Sequence, residues 1–210
     1  MTNPNAAHLT LVVDRSGSME SVREDAQGGI NALLTAQFAL PRELTLTLVE
    51  FDDQIDAVTR MATTAPAYQL IPRGSTRLVD AVGMEIARTG QDLEALPEWA
   101  RPDRVLFVVV TDGLENASCE FTLAQVRADV ERQRNAYAWQ FQFIGADEAA
   151  WQGAELGMAS TRYTKSRKGT RAAYAAASRA ISDYLVSQAP SPMLVMAEAI
   201  DEDGRPVSQR

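Results

Sequence analysis

The run Arg104-Val-Leu-Phe-Val-Val-Val-Thr111 places six apolar residues in succession between polar neighbours. A strand with one wet face alternates apolar and polar residues. A strand that does not alternate is covered on both faces, as in the centre of a parallel sheet between helical layers. Residues 8–14, His-Leu-Thr-Leu-Val-Val-Asp, read as a second buried strand. With 46% hydrophobic residues in 210, the chain carries enough apolar material for one continuous α/β core.

The rest of the chain alternates between strand and helix patterns. Residues 19–38 predict a helix with Val22, Ala26, Ile30, Leu33 and Leu34 on one face. Gly28 and Gly29 interrupt it and are expected to pack against the sheet. Strands at 44–51 and 55–61, joined by Asp52-Asp53-Gln54, form an antiparallel hairpin. A loop over 62–75 leads to a helix at 77–89, and residues 91–103 connect it to the buried strand at 104–111. Thr122 caps a helix running to 136, followed by a strand at 139–145, a short helix at 148–156, a strand at 161–163 and an alanine-rich helix at 170–187. The expected fold is a doubly wound, Rossmann-like, mostly parallel sheet with one antiparallel edge strand and helices on both faces. Residues 1–188 form one domain. Residues 189–210, with Pro190, Pro192 and the apolar run 193–196, form a C-terminal appendage whose apolar run favours docking over full solvation.

Charge narrows the function. A formal net charge of −8 opposes capture of nucleic acid or an anionic membrane surface. The single cysteine, Cys119, permits neither an intrachain disulfide nor a cysteine metal cluster. No secretory leader pattern or apolar span of membrane length occurs, so the expected location is the cytoplasm.

Chemistry concentrates in three segments. The strand at 8–14 ends in Asp14-Arg15-Ser16-Gly17-Ser18, a carboxylate and two hydroxyls spaced two apart. These hard oxygens suit Mg²⁺, Mn²⁺ or Ca²⁺ rather than zinc or copper. The second segment, Gly74-Ser75-Thr76, precedes a helix; its Thr76 hydroxyl can ligate a cation or cap that helix. The third, Thr111-Asp112-Gly113, places another carboxylate after the buried strand. Ligands in doubly wound sheets gather at the carboxyl ends of strands near a topological switch point, and both Asp14 and Asp112 lie at such ends.

Together, Asp14-x-Ser16-x-Ser18, Gly74-x-Thr76 and Thr111-Asp112-Gly113 resemble the metal-ion-dependent adhesion site (MIDAS) of von Willebrand factor type A (VWA) domains. Downstream, 111–118 and Phe143-Ile-Gly-Ala-Asp147 resemble small stand-alone bacterial or phage members. The resemblance implies a Mg²⁺ held by Ser16, Ser18 and Thr76, with Asp14 and Asp112 coordinating directly or through water. It implies a non-enzymatic module whose protein partner supplies an Asp or Glu to the metal, in a bacterial stress-response, tellurium-resistance or phage-related complex.

Two other readings stand beside this one. A Mg²⁺-dependent phosphatase of haloacid dehalogenase type needs an acid two residues after its first Asp, where this chain has Ser16. A structural domain with no metal-dependent partner is the other. The sole histidine, His8, is expected as an ordinary residue at the start of its strand, far from a serine nucleophile. Arg15, Arg73 and Arg77 either recruit an acidic partner or pair with nearby acids. Asp147 is expected to cap the next helix, Glu115 to be a solvated turn carboxylate, and Trp99, Trp139 and Trp151 to be packing aromatics.

Overall fold

The computed structural model describes residues 2–187, 199–201, 203 and 205–207. Its elements are β1 (Asn3–Asp14), α1 (Arg23–Phe38), β2 (Glu43–Phe51), β3 (Ile55–Ala62), α2 (Leu78–Glu94) and β4 (Pro102–Thr111), followed by α3 (Leu123–Tyr137), β5 (Gln140–Ala146), α4 (Trp151–Glu155), β6 (Ala159–Tyr163), α5 (Arg167–Val186) and β7 (Ala199–Ile200). Among the described residues these strands form one sheet in the order β3-β2-β1-β4-β5-β6-β7. All neighbours are parallel except β3, which runs antiparallel to β2 at the edge.

The unbroken apolar strands are covered on both faces. Leu9, Leu11 and Val13 of β1 and Leu106, Val108 and Val110 of β4 meet Ile30 and Leu34 of α1 and Ala177 and Ile181 of α5. The alternate residues Val12, Val105, Phe107 and Val109 meet Val82 and Ile86 of α2 and Val126 and Val130 of α3. Successive strand side chains therefore supply two cores, which is why the β4 run is apolar at every position from Val105 to Val110.

Element ends shift where tertiary contacts override local pattern. β1 begins at Asn3 rather than His8, because Asn3 donates its amide to Arg101 O and pairs with Pro102. Residues Gly17–Val22 form a 3₁₀ segment before α1. α2 continues beyond the expected end at 89 to Glu94, with Leu93 buried. Thr122 caps α3 as expected, in a reciprocal pairing with Gln125. Asp147 does not cap α4; it lies 3.7 Å from Arg162. The apolar run 193–196 lies outside the described residues, while Ala199 and Ile200 pair with β6.

His8 is a fully buried residue within β1, not a residue at its start. Its Nδ1 meets Thr45 Oγ1 at 2.9 Å and its Nε2 meets Thr10 Oγ1 at 3.1 Å. The chain of polar contacts continues through Thr89 to the buried Glu85, which pairs with Arg60. Burial lowers the His8 pKa to about 4, so the ring is neutral at physiological pH.

Of the adjacent glycines of α1, only Gly29 packs against a neighbour, and that neighbour is a helix rather than the sheet. A Cβ on Gly29 would lie 2.7 Å from the buried Tyr174 ring of α5, whereas one on Gly28 would meet nothing within 4 Å. Gly29 thus sets how closely α1 and α5 approach. Accordingly, Gly29→Ala is expected to destabilise the fold by about 1–3 kcal/mol, while Gly28→Ala stabilises it by about 0.5–1 kcal/mol through helix propensity. Urea denaturation of the two variants checks this; equal midpoints would contradict the packing.

Candidate metal centre

Parallel pairing of β1 with β4 runs to Val13 opposite Val110, delivering Asp14, Thr111 and Asp112 to the same sheet edge. With β2 on its other side, β1 lies at the switch point where chain connections diverge. Asp14 is fully buried. Its Oδ1 accepts the Ser16 amide at 2.6 Å, and its Oδ2 accepts Thr111 Oγ1 at 2.5 Å. The Ser16 and Ser18 hydroxyls are 3.1 Å apart, and Ser18 Oγ donates to Asp112 Oδ1 at 2.5 Å. With its proton given to Asp112, Ser18 Oγ keeps its lone pairs for a further electrophile.

Thr76 completes the cluster from a different segment. Its amide donates to Asn116 Oδ1 at 2.9 Å, and the Asn116 amide returns a bond to Thr76 O at 3.1 Å. The Thr76 hydroxyl does not cap α2, whose cap position is Arg77. That end of α2 is instead satisfied by the loop over 115–121: Glu115 accepts the Val79 amide, Ser118 Oγ receives the Asp80 amide, and the Asp80 carboxylate accepts the amides of Cys119, Glu120 and Phe121. Glu115 also accepts the amides of Ala117 and Ser118. It is a structural acceptor rather than a solvated carboxylate.

Gly113 shows how closely these oxygens converge. A Cβ at this position would lie 3.0 Å from Ser18 Oγ, 3.2 Å from Thr76 Oγ1 and 3.3 Å from Asp14 Oδ2. Three hard oxygens from two segments thus surround one point beside a glycine of the third. Asp112 Oδ2 is buried and receives no hydrogen bond, although Lys165 Nζ stands 3.1 Å away. Hydroxyl and carboxylate oxygens gathered beside a buried carboxylate oxygen that has only an ammonium ion near it fit a hard divalent cation. Among the described residues, no three His, Cys, Asp or Glu side chains form a metal-binding group. The cluster depends on its hydroxyls.

Burial raises the Asp14 pKa to about 6, against the opposing hydrogen bonds from Thr111 and Ser16; the nearby Asp112 adds to the rise. The arginines do not offset that charge. Arg15 is buried and pairs with Asp52, Glu50 and Asp56, and Arg73 pairs with the same Asp52. Burial opposes ionisation of Asp52, but hydrogen bonds from Arg73, the Gln54 amide and Arg15 hold its pKa below the usual carboxylate value. Arg77 pairs with Asp80 and Glu120. All three arginines thus pair with nearby acids.

The sequence motifs single out candidate oxygens but not the residues that aim them. Thr111 and Asn116 act through bonds to Asp14 and to the Thr76 backbone, contacts that only the fold creates. Lys165 arrives from the β6–α5 loop with no local signal. Gln152 of α4 donates to Gly113 O at 3.0 Å and accepts the Glu115 amide at 2.7 Å, fixing the backbone on both sides of the exposed Leu114. Trp139 packs on Phe141 as expected, but Trp99 and Trp151 are exposed. Cys119 is exposed and free.

Residues 3–153 match the family described as "VWA domain containing CoxE-like protein". No curated protein matches the chain. Three solved structures share its architecture. Proximal thread matrix protein 1 from the mussel byssus, with a zinc-occupied MIDAS motif, has a TM-score of 0.60 and 14% identity over 85% of this chain and 46% of its own. The vWF domain of the type V pili tip protein Mfa5 from Porphyromonas gingivalis has a TM-score of 0.60 and 11% identity over 90% and 98%. A von Willebrand factor type A protein from Catenulispora acidiphila has a TM-score of 0.58 and 13% identity over 87% and 43%. The chain thus spans about half the length of the mussel and Catenulispora chains. At these identities the likeness is one of fold.

The Asp14 shift has a consequence for stability. A raised carboxylate pKa means that the folded chain holds the proton more tightly than the unfolded one. That stabilisation is complete below the unfolded value of 3.8 and is lost as pH rises through about 6. At neutral pH the ionised group costs the metal-free fold on the order of 3 kcal/mol. In chelator, Asp14→Asn is therefore expected to melt several degrees above wild type at pH 7.5, roughly what such a cost implies. The gap should close towards pH 4. Thermal unfolding across this range checks it; a pH-independent gap would contradict the assignment.

Proposed function

The chain belongs to the family of CoxE-like VWA domains, and from that premise we propose that it is a metal-dependent protein-interaction module. In this reading Asp14, Ser16, Ser18, Thr76 and Asp112 hold a Mg²⁺, with Mn²⁺ or Ca²⁺ as substitutes, and a protein partner adds an Asp or Glu carboxylate. The observation that carries it is the convergence of Ser18, Thr76 and Asp14 oxygens beside Gly113, next to an Asp112 oxygen that accepts no hydrogen bond. The zinc-occupied MIDAS of the mussel protein supports a divalent cation at such a site.

The bound cation supplies a Lewis-acidic centre for an anionic ligand. The chain's own residues do the rest: Thr111 and the Ser16 amide orient Asp14, Asp112 accepts a hydrogen bond from Ser18 Oγ, and Asn116 sets the Thr76 backbone. None of them is placed as a proton carrier for bond cleavage. Ser16 stands where a phosphatase of haloacid dehalogenase type needs its second acid, and His8 is committed to Thr45 and Thr10 inside the sheet. The domain we infer covers residues 1–188, because α5 completes the core on the α1 face. The placement in a bacterial stress-response, tellurium-resistance or phage-related complex rests on sequence resemblance. Among the described residues no helix is long and apolar enough to cross a membrane.

Isothermal titration of Mg²⁺ and Mn²⁺ tests the site. Wild type should show one saturable site, and the Asp14→Ala, Ser16→Ala double variant should lose more than about tenfold in affinity, a loss typical of disrupted metal sites. Equal binding would refute the assignment. Partner capture from the native host should depend on the metal, so a partner set unchanged by chelator would contradict the bridging role.

A further inference from the structure

Of the two carboxylates of the candidate site, Asp112 has a cation of the chain itself beside it. Lys165 Nζ lies 3.1 Å from Asp112 Oδ2, and the Asp112 side chain is fully buried while that of Lys165 is 34% exposed. The other Asp112 oxygen is taken by Ser18 Oγ. The neighbouring cations are engaged elsewhere: Arg162 with Asp147, Arg167 and Arg171 with Asp25, and Lys168 with Asp203. Among the described residues, no other ion pair reaches Asp14 or Asp112.

The position of Lys165 is set by its neighbours. Tyr163, the last residue of β6, is buried, and Ser166 caps α5 by accepting the Gly169 amide at 3.0 Å. Thr164 alone separates Lys165 from Tyr163 and Ser166 adjoins it, which leaves the backbone little freedom, while four methylenes let the ammonium leave without disturbing the fold. Asp112 Oδ2 is also the oxygen left for a divalent ion once Ser18 occupies Oδ1. An ammonium and a divalent cation on the same buried oxygen repel each other strongly in a medium of reduced dielectric.

We propose that Lys165 is a built-in competing cation: its ammonium neutralises Asp112 in the metal-free protein and must be displaced when the metal binds. Lys165 thereby sets the metal concentration at which the site fills. The inference rests on the proposed metal site and concerns its regulation. Its logic is that of a bound counter-ion, which lowers the apparent affinity of any second cation that needs the same ligand.

Isothermal titration of Mn²⁺ into wild type, Lys165→Met and Lys165→Arg tests it, with thermal unfolding in chelator as a second readout. Methionine keeps the apolar stem and removes the charge. Lys165→Met should bind Mn²⁺ about tenfold more tightly, an effect of the size expected from removing a nearby like charge, and should melt lower than wild type in chelator. Lys165→Arg, which keeps the charge, should remain near wild type in Mn²⁺ affinity. If wild type and Lys165→Met bind Mn²⁺ equally, or the variant binds more weakly, competition by Lys165 is overturned while the metal site stands. If wild type binds no Mn²⁺ at all, the metal site and the competition both fall.

Discussion

Two acidic residues at the carboxyl ends of adjacent buried strands are the constraint to which the rest of the site responds. Parallel register between β1 and β4 leaves Asp14 and Asp112 no freedom to separate, since each follows a strand anchored in both cores. Buried like charges are costly unless hydrogen bonds or cations compensate them. The surrounding chain supplies both: Thr111 Oγ1 and the Ser16 amide for Asp14, Ser18 Oγ for Asp112, and the Lys165 ammonium at 3.1 Å. Compensation is incomplete, because burial still lifts the Asp14 pKa to about 6. A divalent cation among these oxygens would remove what remains of the imbalance.

The chain also keeps its arginines away from this point. Arg15 directly follows Asp14, yet its guanidinium turns to Asp52, Glu50 and Asp56 on the β2–β3 hairpin. Tyr68 reinforces the same cluster by donating to Glu50 Oε1 at 2.9 Å. Backbone bonds from Arg15 N to Phe51 O and from Arg73 N to Arg15 O tie the turn after β1 to both neighbouring segments. The ion-pair cluster therefore shapes the turn that presents Ser16 and Ser18 while leaving the carboxylates without an arginine. On the far side, the loop over 115–121 closes the start of α2, so Thr76 is spared the capping role that Thr residues often take at such positions.

The sheet was legible in the sequence chiefly because Val105–Val110 is apolar without alternation, a pattern that few positions other than a doubly covered strand tolerate. Asp14, Ser16, Ser18, Thr76 and Asp112 stood out as candidates because motif spacing survives in one dimension. What escaped depends on contacts between distant segments. Asn116 matters only because it meets Thr76, and Lys165 only because β6 lies two strands from β4. Gly28 and Gly29 look equivalent in sequence, yet only Gly29 faces Tyr174. The reading of Glu115 as solvated failed similarly, since the amides it accepts belong to α2 and to its own loop.

The central claim, that oxygens from three segments converge on one cation beside Gly113, is tested most directly by filling that point with a methyl group. Gly113→Ala places a carbon 3.0–3.3 Å from Ser18 Oγ, Thr76 Oγ1 and Asp14 Oδ2 while leaving each of those side chains in place. Mn²⁺ titration of this variant, with its folding confirmed by circular dichroism, is the measurement. The account predicts a folded protein whose Mn²⁺ affinity falls by more than about tenfold, as when a metal's immediate surroundings are disturbed. A folded variant that binds Mn²⁺ as wild type does would contradict it.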